Sequence, residues 1–167
     1  MLDDSLEPGV IRHKELARHP PELVDEVLVC HSSPTLFSCS VTERQRVSSG
    51  SPYEPSVGFS RALRVGRNVY VSGTAPIWPD GSCDPDPEIQ ARRCLEIILD
   101  ALAEAGAAPK HVVRTRMFLT DPSYAEAVSR AHGAVFGQVR PAATMVVIVG
   151  MLDPRWKVEI EADAVMD

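Results

Sequence analysis

The sequence predicts an α+β fold in which two helices cover one face of a β-sheet. Two segments, residues 87–106 and 121–137, carry helical patterns, and each has a proline near its start and a glycine at its end. Strand patterns precede, separate and follow these segments, so the predicted order is ββαβαββ. Helical connections between strands imply parallel crossovers, which place both helices on the same side of a two-layer sandwich.

The first two strands are predicted as a hairpin. Gly58–Val65 and Val69–Gly73 have strand-like composition, and a turn at Gly66-Arg67-Asn68 joins them. Residues 76–87 carry four prolines and a Pro-Asp-Gly turn, which is typical of a loop.

Residues 87–106 give the clearest helix signal. Asp86 is placed to cap the helix start, and Gly106 is placed to end it. Apolar residues recur mostly at three- and four-residue steps, and we expect this stripe to face the core. The stripe consists of Ile89, Cys94, Leu95, Ile98 and Leu102.

The second half of the chain supplies three more strands and one helix. Val112–Leu119 is the third predicted strand, and Asp121-Pro122 starts a helix that ends near Phe136. The apolar run Thr144–Val149 is typical of a strand buried on both faces. Lys157–Val165 mostly alternates and is predicted as the last strand.

Alternation in the third and last strands predicts an apolar face and a charged face. The apolar face would hold Val113, Thr115, Met117, Leu119, Val158, Ile160, Ala162 and Ala164. The charged face would hold Arg114, Arg116, Phe118, Lys157, Glu159, Glu161 and Asp163. Opposite charges there could pair across strands. The pattern leaves two interpretations open: a solvated outer face, or a partly enclosed polar face between subunits.

Composition excludes several classes of protein. The chain has 167 residues, a net charge of −6 and no apolar run of membrane-spanning length. Its acidic start, MLDDSLEPG, is unlike a secretory signal, so we expect a cytoplasmic protein. The acidic balance argues against nucleic acid as a partner. The four cysteines form no CxxC pair, and none lies near a histidine at metal-ligand spacing, so we expect no metal, disulfide or cofactor.

Residues 1–50 differ from the rest of the chain and are interpreted as an N-terminal extension to a domain at 51–167. The run starting at Pro21 and ending at Leu28 predicts a short helix, and the Ser/Thr-rich stretch Cys30–Gly50 predicts a loop. The extension could be an ordered appendage, a flexible arm or the product of an upstream start codon.

Five motifs in order resemble the Rid (YjgF-like) family. They are Val69-Tyr-Val-Ser-Gly-Thr-Ala-Pro, Glu104-Ala-Gly-Ala, the run Val112–Asp121, Phe136-Gly followed by Arg140-Pro-Ala-Ala-Thr-Met-Val, and Val158-Glu-Ile-Glu-Ala. The resemblance covers about residues 58–166. It implies a chorismate-mutase-like fold and a homotrimer that binds small molecules in clefts between its subunits. Well-known members hydrolyse enamines and imines such as 2-aminoacrylate.

In that chemistry an arginine holds the substrate carboxylate with two parallel hydrogen bonds, and a glutamate positions or protonates the reacting centre. The family's arginine follows Pro-Ala in the motif P-A-R-[ST]. Here Pro141-Ala142 is followed by Ala143 and then by Thr144, so the resemblance implies that the carboxylate-binding arginine is missing. The family's glutamate and hairpin serine match Glu159 and Ser72.

Other site positions also depart from the family pattern. Phe59 takes the place of a site tyrosine, Met145 that of a cysteine found in several members, and Val128 most nearly that of an asparagine. The usual arginine-dependent route to a keto acid is therefore not expected.

Three residues are candidate replacements. Arg61 lies two residues after Phe59 on the predicted strand, and Arg140 precedes Pro141. The alternative for each is an ordinary surface or ion-paired arginine. His132 could act as an acid or base with Glu159 if both face one cleft. Its alternative is a packed histidine of the core or an interface.

The residues and the resemblance leave three hypotheses. The first is an enzyme that hydrolyses or tautomerises small enamines or imines, in which Glu159 is the acid or base and Ser72 orients the substrate. The second is a trimer that binds a metabolite without catalysis, because Ala143, Phe59 and Met145 make the cleft apolar. The third is an endoribonuclease and translation inhibitor, the family's older description, which the acidic balance disfavours.

Overall fold

A computed structural model describes residues 27–31 and 38–167, with only the backbone described up to residue 42. Strands β1 (Val27–His31) and β2 (Ser38–Thr42) form an antiparallel hairpin. The loop predicted for Cys30–Gly50 is wrong at residues 30–31, 38–42 and 44–47, which are strands, and its residues 32–37 lie outside the described part of the chain. Strand pairing satisfies the backbone groups there although the composition favours turns. Most of the helix predicted for 21–28 lies outside the described residues, and its last two positions belong to β1.

Six further strands form one sheet, and two helices connect them. The elements are β3 (Arg44–Val47), β4 (Ala62–Val65), β5 (Asn68–Thr74), α1 (Pro87–Glu104), β6 (Val112–Leu119), α2 (Ala125–Phe136), β7 (Ala142–Val147) and β8 (Val158–Val165).

The sheet has the strand order β3-β4-β5-β8-β6-β7. Only β6 and β7 pair in parallel, across the α2 connection, and all other neighbours are antiparallel. The predicted α+β class and the order ββαβαββ are confirmed, with β3 as an additional edge strand. The division of the chain at residue 50 stays a prediction, although β3 already belongs to the same sheet.

Helix α1 begins and ends as its sequence predicts. Asp86 Oδ1 accepts hydrogen bonds from the backbone N–H groups of Glu88 at 2.7 Å and Ile89 at 3.2 Å. Gly106, with φ of 81°, follows the end of the helix in the left-handed region. The stripe is correct except at Ile89, whose side chain is 44% exposed. Gln90 is buried in its place because it bonds to the neighbouring loops.

The two faces of the sheet are largely as predicted. Val158, Ile160, Ala162 and Ala164 are all buried under the helices. On the other face, Arg116 bonds Glu161 at 2.6 Å. Val113 is exposed rather than buried, because the register of β6 against β8 shifts between Val112 and Arg114 and turns this side chain outward.

Strand β7 contradicts the prediction of a strand buried on both faces. It lies at the edge of the sheet and pairs only with β6 among the described strands. Val146 is 40% exposed and Val147 is 53% exposed, although both are apolar. An apolar run therefore marked a strand whose outer edge pairs with no other strand in the described part of the chain.

Two predicted element starts move toward the C-terminus. The first hairpin strand begins at Ala62 rather than Gly58, and a π-helical turn over Glu54–Gly58 precedes it. A 3₁₀ turn over Pro122–Tyr124, capped by Asp121, precedes α2, which begins at Ala125.

Gln90 fixes the loops that lead into β8. Its fully buried Nε2 donates to the carbonyl oxygens of Asp84 at 2.7 Å and Arg155 at 2.9 Å. Its Oε1 accepts from the N–H of Lys157 at 2.7 Å, immediately before the strand that carries Glu159.

Replacing Gln90 by leucine should lower the free energy of unfolding by about 3 kcal/mol, because three part-buried hydrogen bonds to the backbone are lost at nearly constant side-chain volume. Urea unfolding would measure the change. Gln138→Leu is the control, since Gln138 is exposed on the turn after α2. Equal stability of the two variants would contradict the role of Gln90.

Candidate functional site

A bulge in β5 brings Glu159 against the backbone. The pairing of β5 with β8 shifts between Val71 and Thr74, so Ser72 and Gly73 form the irregular stretch. A Cβ built on Gly73 would lie 2.1 Å from Oε1 of Glu159. Only glycine allows this approach, which explains why a glycine follows Ser72 at this point of the strand.

Arg61 holds the bulge from the preceding segment. Its Nη2 donates to the carbonyl oxygens of Gly73 at 2.8 Å and Ser72 at 3.3 Å. The hydroxyl of Ser72 donates to the carbonyl of Ser60 at 2.7 Å, and its N–H donates to the carbonyl of Arg61 at 3.1 Å. Phe59 lies just before this segment with its ring partly exposed.

Burial dominates the electrostatics of Glu159. It raises the pKa of the half-buried Glu159 carboxyl above its ordinary value; Arg61 opposes this shift and Glu161 adds to it. Burial also lowers the pKa of Arg61, against the attraction of Glu54 and Glu159. Nε of Arg61 is buried and has no hydrogen-bond partner among the described residues. Glu159 is therefore an acid that keeps its proton to higher pH than an exposed glutamate does.

Glu54 was not foreseen from the sequence. It lies near Arg61 and accepts hydrogen bonds from Ser48 Oγ at 2.6 Å and from the N–H and Oγ of Ser49, both at 2.7 Å. These bonds lower the pKa of the Glu54 carboxyl, led by the one from Ser48. Arg61 is therefore near two carboxyl groups: that of Glu54, in the segment before β4, and that of Glu159, on β8.

A second group of site residues surrounds a cavity at the β7 edge. We call it the edge pocket: a space of about 320 Å³ lined by Met117, Ser129, His132, Ala143 and Met145. It lies on the helix side of the sheet, because Met117 belongs to the buried face of β6 and His132 belongs to α2.

His132 is oriented by two neighbours. Its Nε2 shares a hydrogen bond of 2.9 Å with Oγ1 of the fully buried Thr115, and its ring centroid lies 5.0 Å from that of Phe136. Burial lowers the pKa of His132. The imidazole is therefore held neutral near pH 7, and Thr115 fixes which way the ring presents its other nitrogen.

The structure does not bring His132 and Glu159 together within the chain. Glu159 alternates with the buried residues of β8 and pairs with Phe118 on the outer face. His132 bonds to Thr115, which is on the helix face. The acid/base pair considered from the sequence is therefore not formed inside one chain, because the sheet separates the two groups.

The remaining candidates do not line the edge pocket. Thr144 is the register partner of Arg116, out of phase with Ala143 and Met145, so it faces the outer side. Arg140 is exposed, has φ of 54° and directs Nε to the carbonyl of Gly137 at 3.3 Å. Val128, matched earlier to a site asparagine, is fully buried in the core.

Sequence reasoning missed Gly73, Thr115 and Ser129 as site residues. Gly73 was visible only as part of a signature hairpin, and its role follows from a close approach between two strands. Thr115 was assigned to the helix face, but its partner depended on where α2 lies over the sheet.

No group of three His, Cys, Asp or Glu side chains in the described part of the chain could hold a metal ion. None of the helices described here has both the length and the apolar character needed to span a bilayer.

The fold and its site residues define a class of small α+β proteins. The family model described as Endoribonuclease L-PSP matches residues 50–166, and the chain belongs to this family, which is the YjgF/Rid family. The chorismate-mutase-like fold implied by the sequence motifs is thereby confirmed.

Individual relatives agree with this assignment. The sequence is 42% identical to that of Rv2704 from Mycobacterium tuberculosis, whose crystal structure is described as that of a member of the YjgF/YER057c/UK114 family. The two structures match with a TM-score of 0.69 over 74% of this chain and 100% of Rv2704. Protein SCO2049 of Streptomyces coelicolor is 39% identical over 72% of this chain and 90% of its own. Escherichia coli TdcF with bound serine shares the fold, with 23% identity, a TM-score of 0.63, and coverage of 73% of this chain and 94% of its own.

Replacing Gly73 by alanine should move Glu159 and leave the fold intact. The added methyl group displaces the end of a flexible side chain, so the free energy of unfolding should fall by less than about 2 kcal/mol. The pKa of Glu159 should fall toward its ordinary value as the carboxyl moves to solvent. NMR titration of the glutamate carboxyl carbons would measure it.

Gly133→Ala is the matched control, because a Cβ there meets nothing within 4 Å. It should stabilise α2 by about 0.5–1 kcal/mol and leave the pKa of Glu159 unchanged. An unchanged pKa of Glu159 in Gly73→Ala would show that the close approach does not control this acid.

His132 should titrate below its ordinary value of 6.5 in the folded protein. The unfolded chain then binds more protons than the folded chain as the pH falls below about 6.5, so acidification lowers the free energy of unfolding. His132→Gln should lose less stability between pH 7 and 5 than the wild type does. Thr115→Val should keep the pKa low, because burial is its cause. A pKa at or above 6.5 by NMR would contradict the assignment.

Proposed function

We propose that the chain assembles as a cytoplasmic homotrimer whose inter-subunit clefts hydrolyse or tautomerise small enamines and imines, with Glu159 as the acid and base. The observation that carries this proposal is the half-buried Glu159, held over Gly73 with its pKa raised. A carboxyl with a raised pKa keeps its proton to higher pH than an exposed glutamate does and can release it to a substrate, as general acid catalysis requires.

The exposed surface supports an assembly. Strand β7 has exposed apolar side chains and an outer edge that pairs with none of the described strands, and the outer sheet face exposes Tyr70 and Val113 beside its charged residues. Monomeric proteins usually protect such edges, and a symmetric oligomer covers them. The chain's relatives in the YjgF/Rid family make a trimer the first assembly to test.

A cleft between subunits would also bring Glu159 of one chain close to the edge pocket of another. Glu159 and Arg61 lie at one face of the chain, and the edge pocket with His132 lies at the other. A neighbouring copy can present its Glu159 to the edge pocket, which a single chain cannot do. In this arrangement Ser72 and Phe59 border the acid, and Ala143 and Met145 border the substrate.

The chemistry follows from the state of these groups. Protonated Glu159 donates a proton to the enamine carbon and gives an iminium ion. Water then adds to the iminium carbon as the Glu159 carboxylate accepts its proton, which gives a carbinolamine. Return of that proton to nitrogen makes ammonia the leaving group. As the C–N bond breaks, the Glu159 carboxylate accepts the proton of the carbinolamine hydroxyl, so ammonia and a carbonyl product form and Glu159 is again protonated. Arg61, bonded to the bulge carbonyls, stabilises the carboxylate form of Glu159 through its charge.

One observation favours a second candidate, a trimer that binds a metabolite without turnover. The edge pocket pairs two methionine side chains with Ala143, a lining suited to binding. The endoribonuclease description of the family has weaker support in this chain, because a net charge of −6 opposes binding to RNA.

Glu159→Gln should lower kcat/KM for ammonia release from enamines generated in solution by at least about 100-fold, because the variant has no titratable acid at this point. A coupled assay for ammonia would measure the rate. Glu161→Gln is the matched control: it lies on the same strand face but pairs with Arg116. Light scattering would report whether each variant has the mass of three chains.

Equal rates for the wild type and Glu159→Gln would refute the catalytic role. Stabilisation by ligands with no ammonia release from any enamine would favour the binding protein instead. A monomeric mass would refute the cleft between subunits.

A further inference from the structure

We propose that the edge pocket selects electrically neutral ligands: small imines, enamines or ketones with an apolar substituent and no carboxylate. The assignment rests on the proposed function, because it takes the same cleft as the ligand site. It concerns the chemical class of the substrate, which family membership leaves undefined.

The pocket lining carries no charge. Two thioether side chains, one methyl group, one hydroxyl group and one imidazole surround the 320 Å³ space. This volume is at the lower end of the range for small-molecule sites, which fits a ligand of few atoms. A carboxylate placed here would lose its hydration without gaining a cationic partner, which is costly. A neutral ligand loses less and gains contacts with Met117 and Met145.

His132 does not provide a positive charge that could pair with a ligand carboxylate in the edge pocket. Its Nε2 is engaged with the buried Thr115, and burial favours the neutral ring. The imidazole and the hydroxyl of Ser129 can still exchange hydrogen bonds with a carbonyl oxygen or an imine nitrogen. These two groups give the pocket its polarity without giving it a charge.

Nearby arginines are held elsewhere. Arg130, next to Ser129 on α2, bonds Glu88 and Glu126, each at 2.9 Å. Arg116 alternates with Thr115 and Met117, so it faces the outer side, where it pairs with Glu161.

Arg61, the candidate replacement for the family's arginine, is also engaged. It is half-buried at the bulge, and its Nη2 donates to the carbonyls of Ser72 and Gly73. In the proposed cleft its neighbour Glu159 would face the ligand. A carboxylate on the ligand would be repelled by that group once it is ionised, which adds to the preference for a neutral molecule.

Two ligands of similar shape, one neutral and one negatively charged, test the assignment. 4-Methyl-2-oxopentanamide is neutral, and 4-methyl-2-oxopentanoate replaces its amide by a carboxylate. Isothermal titration calorimetry at pH 7.5 should give at least tenfold tighter binding of the amide to the wild-type protein. Ala143→Arg should reverse the preference, because a guanidinium in the pocket lining can hold the carboxylate with two bonds.

Gln138→Arg is the matched control, since it adds the same charge at an exposed position outside the lining. It should keep the preference of the wild type. Should Ala143→Arg fail to fold, the comparison of the two ligands on the wild-type protein still decides the question.

Equal affinities, tighter binding of the carboxylate, or no heat from either ligand would each overturn the assignment. The outcome is separate from that of the catalytic proposal. A preference for the amide without turnover of any enamine would refute the proposed reaction and keep the ligand class. Equal turnover of neutral and carboxylate-bearing enamines would keep the reaction and refute the ligand class.

Discussion

The close approach of Glu159 to Gly73 organises the candidate site. The bulge in β5 lies where two strands of opposite direction fall out of register, at Ser72 and Gly73. Arg61 donates to the carbonyl oxygens of both residues, and the space over a residue without a side chain admits the carboxyl. Burial, a nearby cation and a raised pKa thus have a common origin in one irregularity of the sheet.

The sheet also separates two kinds of chemistry. On its helix side the lining of the edge pocket carries no charge, and a single hydrogen bond joins Thr115 to His132. On its outer side the groups are charged and pair across strands, as Arg116 does with Glu161 and Asp163. A ligand enclosed by both sides at once would meet an apolar wall and an acid, a combination that suits proton transfer to a weakly polar substrate.

Much of the fold could be predicted because local signals determine it. Asp86 and Gly106 set the limits of α1, and the alternation of β8 set its two faces. Predictions failed where neighbours in space decide the outcome. Ile89 is exposed because Gln90 has better partners, Val113 turns outward at a register shift, and the apolar β7 is an edge rather than a central strand. For the site, Glu159 and His132 could be found, but only the sheet geometry shows that they face apart.

The exposed edge strand β7 affects how a newly synthesised chain behaves before it assembles. No described strand pairs with its outer edge, and its valines are exposed, so this edge can add a strand from another chain, whether or not that chain is the native partner. In the proposed trimer, the same surface that closes the cleft is a hazard until a partner arrives. Folding and assembly are therefore in competition with aggregation, and slow association at low expression would leave chains exposed for longest.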